Sequence, residues 1–178
     1  MLGYVGARPF ELFEHLNNDV IKSLQMLEDD KESQCLRRFF VKSAFSYIEC
    51  IPYCLKYHLR RKLHRVSYEL NEKEKDLLYE TSDFKISLLD NFKQTFKLAK
   101  KMLNKVNFDL KTSGQEFQLL RKSIHVRDKI THPKKFRDIE ISDKEVYYVL
   151  TSVTYVEEIF LDFLSYKTKQ SQLLPHSV

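Results

Sequence analysis

Only three glycines and four prolines interrupt 178 residues. A chain so poor in turn-formers cannot be a succession of hairpins, because tight reversals call for residues that tolerate positive φ or arrive with φ already fixed. Long helices joined by few connectors satisfy that constraint. The apolar spacing agrees, running in threes and fours rather than twos. The expected fold class is all-α, an up-and-down bundle of four to five main helices.

A first helix is expected from Pro9 to about Glu28, with Phe10, Phe13, Leu16, Val20 and Leu24 inward and Pro9 in its first turn. A second runs from near Ser33 to about Arg65, with a wide apolar face from Leu36 and Phe39 to Leu55. Pro52 lies inside it, which implies a kink or two helices meeting at Ile51. Asn71 with Glu74 has the pattern of a capping box and opens a short helix to about Glu80. Thr81-Ser82-Asp83 breaks the pattern. Asp90 is expected to cap a helix reaching about Asn104, with Phe92, Phe96, Ala99 and Leu103 on its apolar stripe and Lys93, Lys97, Lys100 and Lys101 beside it. Ser113 with Glu116 reads as the box of the next helix, which must end near Thr131 or His132 because Pro133 pushes its predecessor out of the α region. A polar loop, Lys134 to Ile141, follows. Ser142 with Glu145 caps the last helix, whose buried stripe is Val146, Val149, Leu150, Val153, Val156, Phe160 and Phe163. Residues 1–170 are expected to form one domain, followed by a polar tail at 171–178.

Hydrophobic residues at 43% and charged residues at 31% mark a globular chain. Aromatics make up 13% with no Trp, so Phe and Tyr must fill the core beside Leu, Ile and Val. The formal charge of +5 permits an anionic partner without requiring one. Cys35, Cys50 and Cys54 form no C-x-x-C and read as buried thiols of a reducing compartment. No metal site is expected. Met1 to Phe10 has neither the basic start nor the apolar run of a leader, and no stretch approaches a bilayer span. The cytoplasm is the expected location, with no membrane partner.

Signatures of nucleotide-cofactor and hydrolytic enzymes are missing: there is no Gly-rich phosphate loop, no H-E-x-x-H and no G-x-S-x-G. No cofactor is expected. The densest basic run, Lys56 to Arg65, includes Arg60 and Arg61. It fits either a solvated helix end, where cations meet the negative end of the helix dipole, or a surface for a phosphate backbone.

The sharper feature is Arg127-Asp128-Lys129-Ile130-Thr131-His132-Pro133. Residues five apart on an ideal helix point roughly 140° away from each other. Pro133, however, forces His132 out of helical register, which lets the imidazole turn toward Arg127. The plainer alternative is a surface Arg and a helix-terminal His that caps carbonyls. His125 reads as an exposed helix residue.

Arg127-Asp128-Lys129-Ile130-Thr131-His132-Pro133-Lys134 resembles the signature of the HEPN superfamily, an Arg, a polar residue, then a His four to six residues after the Arg. Arg38 to Glu49 is similar to the early core helix of such domains, and Phe136 to Glu145 to the loop into their final helix. The resemblance spans about Leu36 to Leu164. It implies a HEPN-like bundle that dimerises and lines one cleft with two copies of the motif. It further implies a metal-independent endoribonuclease, often a toxin or antiviral effector with a cognate antitoxin protein, or else a relative without activity that binds RNA or a protein. On that reading Arg127, Asp128 and His132 are the catalytic residues. Lys129, Lys134, Lys135, Arg60 and Arg61 would contact single-stranded RNA. Asp128 departs from the Asn common at its place. A carboxylate there can hold His132 or Arg127, yet it also repels a phosphate.

Overall fold

The computed structural model describes residues 9–65, 68–81 and 86–165. The tail at 171–178, the residues after Lys167, and Ser82 and Asp83 of the expected break lie outside the described residues, as does the side chain of Phe10. The chain divides into two compact units, Met1–Cys50 with Lys111–Glu157, and Ile51–Leu110 with Glu158–Val178. Six α-helices carry the described residues: α1 Pro9–Asp29, α2 Gln34–Lys62, α3 Glu72–Tyr79, α4 Leu88–Met102, α5 Gln115–Thr131 and α6 Asp143–Ser165. No strand occurs among them. The all-α expectation holds, with five long helices and one of eight residues. No helix among the described residues is long and apolar enough to cross a membrane.

Helix α2 is continuous through Pro52, so the alternative of two helices is excluded. Proline has no N–H to give the carbonyl four residues back. The helix nevertheless persists, and the residues on its face around that point are held in the core: Ile48, Ile51, Cys54 and Leu55 are all buried. It ends earlier than expected, and Leu63–Arg65 is a short 3-10 turn.

The helix starts divide into kept and revised expectations. Asn71 accepts from the Glu74 N–H at 3.0 Å while Glu74 accepts from the Asn71 N–H at 3.2 Å, completing the box that opens α3. The Ser142–Glu145 box opens α6 in the same way. Helix α4 is capped by Ser87 rather than Asp90. The Ser87 hydroxyl accepts from the Asp90 N–H at 3.1 Å and donates to the Asp90 carboxylate at 2.7 Å, which makes Asp90 the third helical residue. At α5 the Ser113–Glu116 box does not form; Gly114 is the N-cap, without a side-chain bond. Cys35 is exposed, whereas Cys50 and Cys54 are buried. Phe39 and Leu150, both expected inside, are exposed.

The first unit packs Phe40, Val41, Ala44, Phe45 and Ile48 of α2 with Phe117, Leu120, Val126 and Ile130 of α5 and Val149, Val153 and Val156 of α6, all buried. Small hydroxyl residues bring α5 and α6 together. Ser152 donates to Ser123 Oγ at 3.0 Å, and Ser123 returns a bond to the Leu120 carbonyl, so neither buried hydroxyl lacks a partner.

The second unit is built on phenylalanine. Phe96 stacks on Phe108 at 5.7 Å, meets Phe163 edge-on at 5.4 Å and touches Phe92 at 4.8 Å. Two cations serve this unit's own helix ends. Lys105 Nζ donates to the Phe163 carbonyl near the end of α6. Buried Lys56 pairs at 2.9 Å with Glu80, the residue at φ 56° that closes α3. Each meets a carbonyl-rich or acidic helix terminus, where the dipole favours positive charge. Phe96 touches three aromatic rings, so Phe96→Ala is expected to cost about 3–5 kcal/mol of stability, read as a lower midpoint in urea with far-UV circular dichroism retained in buffer.

Candidate functional site

The last turn of α5 supplies Arg127, Asp128 and Lys129, and His132 is the residue on which the helix ends. As Pro133 requires, His132 leaves the α region, at φ −128° and ψ 59°, while its N–H still reaches the Asp128 carbonyl at 3.0 Å. Its side chain is exposed, and the imidazole forms no hydrogen bond or ion pair among the described residues. The backbone departure thus follows the sequence reading. A direct bond from His132 to Arg127 does not form.

Arg127 is held elsewhere. Its Nη2 donates to Glu49 Oε1 of α2 at 2.6 Å, and its Nη1 donates to Asp128 Oδ1 at 3.0 Å. The guanidinium lies over the Phe45 ring, 5.5 Å from the centroid. Its Nε is buried with no hydrogen-bond partner, and the side chain is 26% exposed. Two carboxylates therefore face one cation above an apolar floor. Charge-assisted bonds of this kind carry more than neutral ones, although both carboxylates are about half exposed. Of the two roles open to Asp128, it takes the one of holding Arg127.

Glu49 was given no role by the sequence. Its signal was present all the same: it is the only acidic residue in the 29 residues of α2, one turn after Phe45. What the sequence cannot display is the pairing across 78 positions.

The expected RNA-contacting cations separate. Lys129 Nζ donates to the Glu140 carbonyl at 2.8 Å and to Glu145 Oε1 at 2.6 Å, tying the end of α5 to the start of α6. Arg60 Nε donates to the Leu78 carbonyl at 2.7 Å, with its guanidinium 5.9 Å from the Tyr79 ring centroid. Arg61 is exposed, 5.9 Å from the Tyr57 ring centroid. Both arginines belong to the second unit, whereas Arg127 and His132 belong to the first. Lys134 and Lys135 follow His132 after Pro133, with exposed side chains. His125 is exposed, as read.

The segment expected to be a polar loop contains a 3-10 turn, Phe136–Ile139. Asp138 makes it, accepting at Oδ2 from the N–H groups of Lys134 at 2.7 Å and Lys135 at 3.0 Å. Helix α2 then fixes the far end. Gln34 both donates to the Ile141 carbonyl and accepts from its N–H, Arg37 donates to that same carbonyl at 2.8 Å, and Arg38 donates to the Ile139 carbonyl at 3.0 Å. The stretch after His132 is thus an anchored turn.

Among the described residues no cluster of three or more His, Cys, Asp or Glu is placed to hold a metal ion. Comparisons with protein-family models, with curated proteins and with solved structures give no match.

The Lys134 N–H bond, with that of Lys135, holds the Asp138 carboxyl below its ordinary value of 3.8. A depressed folded-state value stabilises the turn above the unfolded-chain value, and that contribution is lost as pH falls through the folded one. In a pH titration followed by NMR, the amide signals of Lys134 and Lys135 are expected to move together with a midpoint below 3.8. Asp138→Asn is expected to remove that titration from both.

Proposed function

We propose that this chain is a metal-independent endoribonuclease of HEPN type acting on single-stranded RNA, with Arg127 and His132 as its catalytic pair. The observation that carries the reading is the end of α5: an exposed imidazole released from helical register, following within two turns an arginine on a prepared, partly desolvated support. Exposure leaves the imidazole free to meet substrate, and a half-buried guanidinium offers a fixed positive fork.

RNA cleavage by this route starts with a neutral imidazole taking the proton of a ribose 2′-OH. The 2′-oxygen attacks phosphorus, and the bond from phosphorus to the 5′-oxygen breaks. An imidazolium gives its proton to that departing oxygen, leaving a 2′,3′-cyclic phosphate and a 5′-hydroxyl. Arg127 meets the charge that grows on the phosphoryl oxygens. A second copy of the chain would supply the second histidine, so that base and acid are separate residues. A toxin or defence effector with a cognate antitoxin protein is the biological setting that the resemblance implies.

A second reading has one specific observation in its favour. Arg127 already carries two carboxylate partners, Glu49 and Asp128, both of which repel a phosphate. That arrangement also suits a HEPN-like domain without activity that binds RNA or a protein.

Incubation of single-stranded RNA with the purified protein in EDTA separates them. Active enzyme yields products ending in cyclic phosphate. His132→Ala and Arg127→Ala each lower the rate at least about a hundredfold with circular dichroism unchanged. Cutting by both variants at the wild-type rate refutes the assignment. Asp128→Asn, which removes one of the two opposing charges, is expected to raise kcat/KM severalfold.

A further inference from the structure

Among the described residues Phe136 is the most exposed large hydrophobic, at 75%, against 56% for the next, Tyr147. A lone apolar side chain on a surface calls for no explanation by itself. The setting of this one does. It is the first residue of the 3-10 turn, and the backbone on both sides of it is fixed. On one side Asp138 grips the N–H groups of Lys134 and Lys135; on the other Arg38 and Arg37 grip the carbonyls of Ile139 and Ile141. The ring is thus presented from a rigid base.

Its neighbours in the chain are cations. Lys134, Lys135 and Arg137 are exposed, and none of the three side chains forms an ion pair among the described residues. His132 stands four residues before the ring. Lys129, by contrast, is bonded to Glu145 and Glu140. An apolar docking surface for a protein would continue into further apolar side chains. Along the chain the ring is flanked by Lys135 and Arg137, and between Thr131 and Glu140 the only other exposed apolar residue is Pro133. An aromatic face amid unpaired cations fits a different partner, a strand whose flat bases stack while its phosphates find positive charge.

We propose that Phe136 is a stacking platform for one unpaired nucleobase of a single-stranded RNA, with Lys134, Lys135 and Arg137 contacting the phosphates beside it. This deepens the ribonuclease reading and rests on it for the identity of the strand. It makes Phe136 a binding residue that positions the chain next to His132. Stacking tolerates every base, so sequence preference at this point is weak. Duplex RNA, whose bases are already stacked, is excluded from the platform.

Binding is measured with the His132→Ala variant as background, so that cutting does not consume the ligand. The probe is a fluorescein-labelled 12-nucleotide RNA, alone and annealed to its complement, with a 2-aminopurine version reporting stacking. Expected are tighter binding to the single strand, a change in 2-aminopurine emission on binding, and a loss of roughly tenfold or more in affinity with Phe136→Ala. Phe136→Trp should keep both affinity and the emission change. Lys134→Gln with Lys135→Gln should flatten the salt dependence by about 0.7 log unit per lost phosphate contact. Phe136→Ala binding as tightly as the background protein overturns the platform and leaves the ribonuclease reading standing. Phe136-dependent binding together with a wild-type protein that does not cut RNA in EDTA sinks that reading and keeps the platform. A Phe136→Ala effect on sedimentation alone, without any on RNA, overturns the proposal in favour of a protein contact.

Discussion

The Arg37 guanidinium holds the first unit together at the place where three segments meet. Its side chain is almost fully buried, 5% exposed by residue. Nε donates to the Lys31 carbonyl in the turn between α1 and α2, Nη1 to the Ile141 carbonyl, and Nη2 pairs with Asp143 at the start of α6. Arginine alone among the side chains spreads five donors over three nitrogens in a rigid fork, so a single side chain reaches acceptors on three separate segments. Without it the Ile141 carbonyl would keep only the Gln34 amide. The consequences run outward. The 3-10 turn is fixed at its C-terminal end, so the short path back to His132 is fixed too. The site inherits its order from an arginine that takes no part in it.

A second arginine shows the opposite use of the same group. Arg37 has its donors matched to carbonyls and one carboxylate that is itself largely in water. Arg127 has two carboxylates and a buried Nε without a partner. Buried N–H groups in finished structural sites are nearly always paired. On the proposed function, Arg127 exchanges one of its carboxylates for a substrate phosphate. A phosphate oxygen offers the same acceptor chemistry as either carboxylate. Glu49 keeps the guanidinium aimed from a helix anchored in the core.

The parts of the fold that the sequence displayed are those set by local chemistry. The boxes at Asn71 and Ser142 were legible because donor and acceptor lie three residues apart. The end of α5 was legible because a proline acts on its immediate predecessor. The Ser113 box was misplaced by one residue, since Gly114 takes the N-cap and a serine just outside a helix looks the same in sequence. Asp90 was misread for a related reason: Ser87, three residues earlier, offers a competing cap, and the two bond to each other. Nothing local distinguishes them. The division into two units was not legible, because two of its three crossings fall inside α2 and α6 and the third, between Leu110 and Lys111, sits in a short connector like any other. Nor was the turn at Phe136–Ile139, which depends on bonds reaching α2 across about a hundred residues.

The charge pattern around the motif sets a condition on any anionic ligand. On the proposed function, a strand approaching Arg127 meets the Glu49 and Asp128 carboxylates first as repulsion, while Lys134, Lys135 and Arg137 a few residues on attract it. Attraction between exposed charges reaches about a Debye length, roughly 8 Å at physiological salt. Contact with a half-buried guanidinium is shorter in range but less screened. On the proposed function the order of events follows: the strand is captured on the exposed cations after His132, and only then does a phosphate compete with a carboxylate for Arg127. A ligand too short to reach both, such as free phosphate, has the repulsion without the capture. Affinity should therefore rise steeply with strand length over the first few nucleotides, which a site made of Arg127 and His132 alone would not produce.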